Sequence, residues 1–194
     1  VIFPIFDIRC RPIGFGARVL DKSLPKYVNS PETAVYTKGR NLFGLNLSKD
    51  YIRDVDSAII VEGYLDFMIP YQEGIKNIVA SQGTALTLEQ IRLLKRYTHN
   101  VVMIYDGDTA GEIATLRSLD MLIEEGMNVK IVPLPKDLDP DTLVRAQGID
   151  SLKAKIRTAA SLFDYKLEVL KSRHDIKDAH GKSKIAGEML STIN

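Results

Sequence analysis

At 194 residues, with 45% hydrophobic and 26% charged side chains, the sequence suits one sizeable domain, or a domain with attached pieces, able to bury a real core. No apolar run approaches the ~18 residues of a membrane span and no signal-peptide pattern opens the chain, so no membrane partner is expected. A single cysteine, Cys10, excludes a disulfide framework and favours a reducing, cytosolic setting; with three scattered histidines it leaves no zinc site of ordinary spacing.

The net charge of +1 hides an asymmetry. Residues 1–50 carry a net +4, residues 51–148 a net −6, and residues 149–194 a net +3. A basic flank beside an acidic centre points to polyanion contact near a metal site, although offsets of this size also occur as ordinary surface variation. The chain opens inside an apolar run, "VIFPI", without a start Met, so it is expected to be a piece of something longer.

In chain order, "VIFPIFDIR" and "PIGFGARVL" are strand-like, with "RCRP" as the hairpin turn between them. "DKSLPKYVNSPETAVYTKGR" is rich in Pro, Asn and Ser and has little periodicity, which predicts a long loop packed on the central sheet. From residue 57 strands and helices alternate. "SAIIV" (57–61), "NIVAS" (77–81), "NVVMIY" (100–105) and "VKIVPL" (129–134) read as buried strands. Helices are predicted over 64–74, where Pro70 ends or kinks the helix, over 87–97 with Thr87 as N-cap, and over 109–126 with Gly126 as the stop. Ile- and Val-rich strands separated by helices predict a mainly parallel four-stranded sheet covered on both faces. Residues 151–194 are helical by period, broken at "DIKDAHGKSK" before a last helix, "IAGEMLSTI".

In an open parallel sheet, ligands bind outside the carboxyl ends of the strands. Glu62 follows the first of these strands directly, Asp106 and Asp108 follow the third in "VVMIYDGD", and Asp139 and Asp141 come soon after the fourth in "KDLDPD". Asp66, one turn into the first helix, can face the same crevice. Carboxylates gathered so closely repel unless something positive joins them, and Mg²⁺ is the natural guest because it takes oxygen ligands. Gly63 and Gly107 let backbone or ligand approach without a Cβ. Each motif alone has a bland alternative: Asp-Gly is a common turn, and "LDPD" reads equally as a helix entry with Asp139 as cap and Pro140 at the first helical position. Their placement at successive strand ends favours the metal reading.

The motifs "IIVEGYLD", "ASQGTALT", "MIYDGDTAG" and "DPD", in this order, resemble the TOPRIM domain of bacterial DnaG-type primases. The upstream "IGFGARVL", "PKYVNSPET" and "KGRNLFGL" resemble the same primases, and "LFDY" at 162–165 extends the likeness weakly. The fold implied is α/β: part of a basic mixed N-terminal subdomain over 1–50, the TOPRIM metal-binding domain over 51–148, and a small C-terminal helical subdomain over 149–194. The activity implied is a nucleotidyltransferase, a DNA-directed RNA polymerase of the primosome, making short RNA primers for DNA replication. A 3′-hydroxyl attacks the α-phosphate of the next nucleoside triphosphate and pyrophosphate leaves.

On that resemblance Glu62, Asp106 and Asp108 are the catalytic residues, and Asp66, Asp139 and Asp141 complete the metal-binding set for Mg²⁺, with Mn²⁺ as a substitute. Arg18, Lys26, Asn29, Lys38 and Arg40 match positions lining the nucleotide and nucleic-acid groove. Tyr27 and Tyr36 suit base stacking, though buried packing is the commoner use of such residues. Implied partners are single-stranded DNA template, nucleoside triphosphates and nascent primer. Single-strand-binding protein is a further partner, and replicative helicase is contacted through a C-terminal domain absent here. Zinc belongs to an N-terminal module also absent, and the setting is the bacterial cytosol at the replication fork. The fragment is expected to be monomeric and, alone, to prime weakly or not at all. Two positions depart from the pattern: Cys10 stands where a glycine turn is expected, and Gln82 where these primases carry an apolar residue. The alternatives are another TOPRIM enzyme, topoisomerase or nuclease-like, and a non-catalytic nucleic-acid-binding module.

Overall fold

A computed structural model describes residues 1–21, 23–83, 85–105, 120–135 and 138–190. Its first layer is a three-stranded antiparallel sheet of β1 (Ile2–Phe6), β2 (Pro12–Arg18) and β3 (Tyr27–Asn29), in that order. Alternation sets its faces: Phe3 and Ile5 point into the core, while Ile2 stays exposed. At the β1–β2 turn Asp7 accepts hydrogen bonds from the backbone N–H groups of Arg9 and Arg11 and pairs with the Arg11 guanidinium. That carboxylate organises the turn, and Cys10 sits in it with φ +61°, the left-handed conformation that a glycine would adopt more easily. The strand β3 lies inside the segment expected to be loop; it is three residues long, too short for a periodic signal.

Beyond β3, Lys38–Arg40 form a single 3₁₀ turn, and helix α1 (Leu45–Val55) comes next. This helix is not among the elements expected from the sequence, and the domain boundary expected at 50/51 falls within it. Its charged outer face masks the apolar positions Leu45 and Ile52 that bury. Gly44 caps its start with φ +82°, and a Cβ there would sit 2.1 Å from the Phe67 ring.

The second layer is a five-stranded sheet of order β5-β4-β6-β7-β8, made of β4 (Ala58–Val61), β5 (Ile78–Ala80), β6 (Asn100–Tyr105), β7 (Asn128–Pro133) and β8 (Ala160–Ser161). The first four are parallel, with Ile59 opposite Ile78 on one side and Val102 on the other. The difference from the expected four-stranded sheet is β8, a two-residue antiparallel edge against Lys130 and Ile131. Successive strands send alternate side chains to two cores. Ile60, Val79, Val101, Met103 and Ile131 pack with α1, with α3 (Leu88–Lys95) and with Leu122 beside α4 (residues 120–124). Ile59, Val61, Ile78, Val102 and Val132 pack with α2 (Tyr64–Gln72), α5 (Pro140–Gln147) and α6 (Ile149–Arg157). The helix expected over 109–126 is described only at its end, where Gly126 has φ +71°. Pro70 is accommodated two residues before the end of α2, and Thr87 caps α3 by accepting from the Gln90 N–H.

The C-terminal helices α7 (Leu162–Arg173) and α8 (Ala179–Leu190) join through a small core of Leu170, Ile185 and Met189. α8 begins earlier than expected, taking in "AHGKSK", because the break is confined to residues 174–178.

β4 lies between β5 and β6, so the chain winds first to one side of β4 and then to the other. The crevice at the carboxyl ends of β4 and β6 is therefore the topological switch point of the sheet. Gly44→Ala should cost about 3 kcal/mol of stability, from the left-handed backbone and the overlap with Phe67, read as a lowered urea midpoint at unchanged slope.

Candidate metal and nucleotide site

β4 ends at Val61, and the chain turns through Glu62 and Gly63 into α2. Here the structure opens a cavity of about 400 Å³. Its floor is the carboxyl edge of the sheet, with Glu62 and Gly63 after β4 and Gln82 and Gly83 after β5. The Gly83 N–H donates to the Glu62 carbonyl at 2.8 Å, which ties the two strand ends together. One side is formed by the first turn of α2 (Tyr64, Leu65, Asp66) and the start of α5 (Asp139, Asp141). The opposite side carries Arg18, Lys26, Tyr27 and Asn29 from the antiparallel sheet, together with Lys38.

The carboxylates do not play equal parts. Asp66 is 8% exposed; its Oδ2 accepts from the Gly63 N–H at 2.9 Å and its Oδ1 from the Asp141 N–H at 3.5 Å, so it satisfies backbone donors at the starts of two helices. Asp139 caps α5, accepting from the Thr142 N–H at 2.6 Å, with Pro140 at the first helical position. Asp141 pairs with Arg145 one turn along the same helix. Among the described residues no three metal-ligating side chains converge. Asp106 and Asp108, and Gly107 between them, lie outside the described residues, whose third parallel strand ends at Tyr105. The donor set of Glu62, Asp66, Asp139 and Asp141 is all carboxylate oxygen, which fits a hard divalent cation. Of the four, Glu62 belongs to the strand-end edge, whereas Asp66 and Asp139 already serve as helix caps.

On the basic side, Tyr27 is 37% exposed and flanked by two cations: the Arg18 guanidinium carbon lies 5.4 Å from the ring centroid and Lys26 Nζ 6.0 Å. Burial pushes its phenol up, Arg18 opposes this, and the carboxylates of Asp66, Asp141 and Asp139 reinforce it, so the acidic wall is felt across the cavity. Burial pushes the Lys38 ammonium below its ordinary value. The backbone of Lys38 is gripped from α3, where Gln90 Nε2 donates to the carbonyls of Lys38 and Asn41, while Thr87 Oγ1 donates to Gly39. Asn29 Oδ1 accepts from the Tyr64 hydroxyl.

Arg40 is not brought to this cavity. It lines a separate one with Asp7, Val35 and Leu93. A 3₁₀ turn advances about 120° per residue, so Lys38 and Arg40 point well apart. Tyr36 is wholly buried, as packing predicts, and only Tyr27 of the two tyrosines lines the site. Tyr64, Leu65, Gln82 and Gly83 are lining residues not anticipated from the sequence. Gln82 and Gly83 follow a parallel strand just as Glu62 does, and that position was the available signal.

Residues 1–49 match the family model for the N-terminal domain of the DNA primase catalytic core, and residues 59–144 match the Toprim-like model. The chain belongs to the bacterial DnaG primase family. A DNA primase of Clostridium acetobutylicum is 47% identical over 194 residues, covering 100% of this chain and 32% of that protein. One from Aquifex aeolicus is 46% identical over 166 residues, covering 84% and 33%. The chain thus spans about a third of the length of these curated relatives. A DNA primase domain from Pseudomonas aeruginosa superposes with TM-score 0.88 at 40% identity, covering 98% of this chain and 62% of that one. A DnaG primase catalytic domain bound to ssDNA superposes with TM-score 0.87 at 38% identity, covering 99% and 64%. The fold is that of the DnaG catalytic core, and a Toprim domain in a DnaG primase implies divalent-metal use.

The lowered Lys38 couples this DnaG-family cavity to protons. An anion beside it favours the charged ammonium, so binding takes up protons where Lys38 is partly neutral. Affinity for tripolyphosphate should therefore fall as pH rises through the lowered Lys38 value, and Lys38→Arg, always charged, should flatten that part of the fall. Calorimetry in two buffers of different ionisation enthalpy reads the proton uptake directly.

Proposed function

We propose that the chain carries the catalytic centre of a DNA-directed RNA primase, making short RNA primers on single-stranded DNA for replication. The observation that carries this reading is one cavity that gathers Glu62 from the end of a parallel strand, Asp66, Asp139 and Asp141 from two helix starts, and the cations Arg18 and Lys26 from a second sheet. The arrangement suits triphosphate chemistry, in which negative charge must be held and moved close to acidic metal ligands. Glu62, Asp106 and Asp108 are the catalytic and metal-binding residues of the proposal, with Asp66, Asp139 and Asp141 as supporting carboxylates. Mg²⁺, or Mn²⁺ in its place, when bound supplies charge neutralisation and polarises the reacting phosphate.

The chain's own residues divide the remaining work. Arg18 and Lys26 bind polyphosphate, Lys38 and Asn29 contact the nucleotide, and the exposed part of Tyr27 stacks against a base. Glu62 holds metal or takes the proton of the attacking 3′-hydroxyl. Arg40, on its own cavity, is assigned to template backbone. The relatives' name favours a primase over a topoisomerase, and an acidic strand-end edge is superfluous in a pure binding module. The organisation proposed is a basic N-terminal part over 1–50, the Toprim domain over 51–148 and a helical part over 149–194. The proposed setting is the cytosol at a replication fork, as a monomer. Contacts with replicative helicase and zinc are assigned to parts of the longer relatives that this chain does not span, and single-strand-binding protein is a further partner in the proposal. No helix among the described residues is long and apolar enough to cross a membrane.

The test is primer synthesis from ribonucleoside triphosphates on single-stranded DNA with Mg²⁺ or Mn²⁺. It uses the 194-residue chain and the same chain joined to the flanking regions of its longer relatives. Glu62→Gln in the longer form should lower synthesis on the order of 100-fold while leaving DNA binding intact. Undiminished synthesis by Glu62→Gln and Asp106→Asn would sink the assignment of the metal residues. Robust priming by the short chain alone would overturn the expectation that its activity depends on the flanks.

A further inference from the structure

Gln82 is the second residue after β5, only 3% exposed, and lines the same cavity as Glu62. Its backbone is in the left-handed region at φ +68° and Gly83 comes next at φ +72°, so the turn after β5 spends conformational strain to hold this side chain where it is. Gln82 Oε1 accepts from the Tyr36 hydroxyl at 2.8 Å. Tyr36 is itself fully buried, its ring fitted over Gly14, where an added Cβ would lie 3.2 Å from the ring. An amide is planar, so fixing Oε1 on Tyr36 fixes Nε2 on the opposite side. That Nε2 is the buried side-chain donor left without a hydrogen-bond partner among the described residues. A buried donor without an acceptor is costly, and natural sequences seldom retain one where an apolar residue would fit.

From this we infer that Gln82 is a nucleotide-contacting residue whose Nε2 donates to an oxygen of the bound ribonucleoside triphosphate, with Tyr36 as the positioning residue that fixes the amide's orientation. The inference rests on the reading of the cavity as a nucleotide site. The donor is neutral, and the cavity already carries Arg18, Lys26 and Lys38 as cations for phosphate. It therefore takes an uncharged acceptor, a ribose hydroxyl or a base carbonyl.

The test pairs stability with binding. In Tyr36→Phe/Gln82→Met, the hydroxyl, its acceptor and the unpaired donor are removed together by apolar groups of similar shape, so melting should be no lower than in the parent. ATP binding in Mn²⁺ should weaken roughly tenfold, the worth of one well-made hydrogen bond, while Mn²⁺-tripolyphosphate binds as before. Tyr36→Phe alone, which keeps the amide but frees it to turn, should weaken ATP by a smaller factor. A folded double variant that binds ATP like the parent overturns the inference, as does equal loss of ATP and tripolyphosphate. If the double variant does not fold, Tyr36→Phe with unchanged ATP affinity overturns it. Failure of the parent chain to bind ATP at all would instead remove the nucleotide reading on which the inference stands.

Discussion

The ring of Tyr64 is the joint between two sheets that share no hydrogen-bond ladder among the described residues. It stands at the first position of α2, two residues past Glu62, and stacks on Phe3 of β1 with centroids 4.8 Å apart and planes 7° from parallel. Phe43 meets the ring edge-on at 4.7 Å. Gly16 on β2 lies so close that a Cβ there would sit 2.5 Å from the ring. The hydroxyl then reaches Asn29 on β3. One side chain thus touches all three strands of the basic sheet while its backbone belongs to the turn carrying the acidic edge. Burial drives its phenol well above the ordinary value, so it remains a neutral hydrogen-bond donor. The facing of cations and carboxylates results from that packing.

Around this joint, polar groups divide into those that hold helix starts and turns and those that line the cavity at strand ends. Asp66 and Asp139 look from sequence like ligands, yet each has backbone N–H groups to satisfy at a helix start. Their charge still reaches the site, adding to the upward push that burial gives the Tyr27 phenol. Gln90, with no exposure at all, pins the turn that presents Lys38 through Nε2 and caps α3 through Oε1, which accepts from the Thr87 N–H. Glu62 and Gln82 line the cavity just past the ends of β4 and β5. The division is one of geometry more than of residue type.

The parallel sheet was legible in the sequence because its strands are continuous Ile/Val runs separated by periodic helices. Glu62 was legible as a site residue because it directly succeeds such a run. The family motifs extended that reading to residues 1–49, where strand and loop signals alone are weak. Helix α1 was not legible, since "LNLSKDYIRDV" mixes its charged and polar residues among the apolar ones and owes its helicity to burial of Leu45 and Ile52 against the sheet. The split between Lys38 and Arg40 depends on the pitch of one 3₁₀ turn, which no motif encodes. Gln82 was visible only as a departure from pattern; the partnership with Tyr36, 46 residues away, exists only once both sheets are packed.

The antiparallel bridge between Phe43 and Ala80, with paired backbone hydrogen bonds of 2.9 and 3.0 Å, fastens the segment entering α1 to the edge strand β5. Around the two sheets side chains add cohesion: the Phe3–Tyr64 stack, the Tyr36–Gln82 bond between the segment after β3 and the turn after β5, and Lys49 Nζ of α1 donating to the Ile8 carbonyl in the β1–β2 turn at 2.9 Å. Side-chain cohesion of this kind resists shear less stiffly than a continuous ladder. A molecule gripping both walls would add contacts that bridge the two sheets. Its binding free energy adds to the resistance of the whole assembly against opening, so occupancy of the cavity and mechanical firmness of the core rise and fall together.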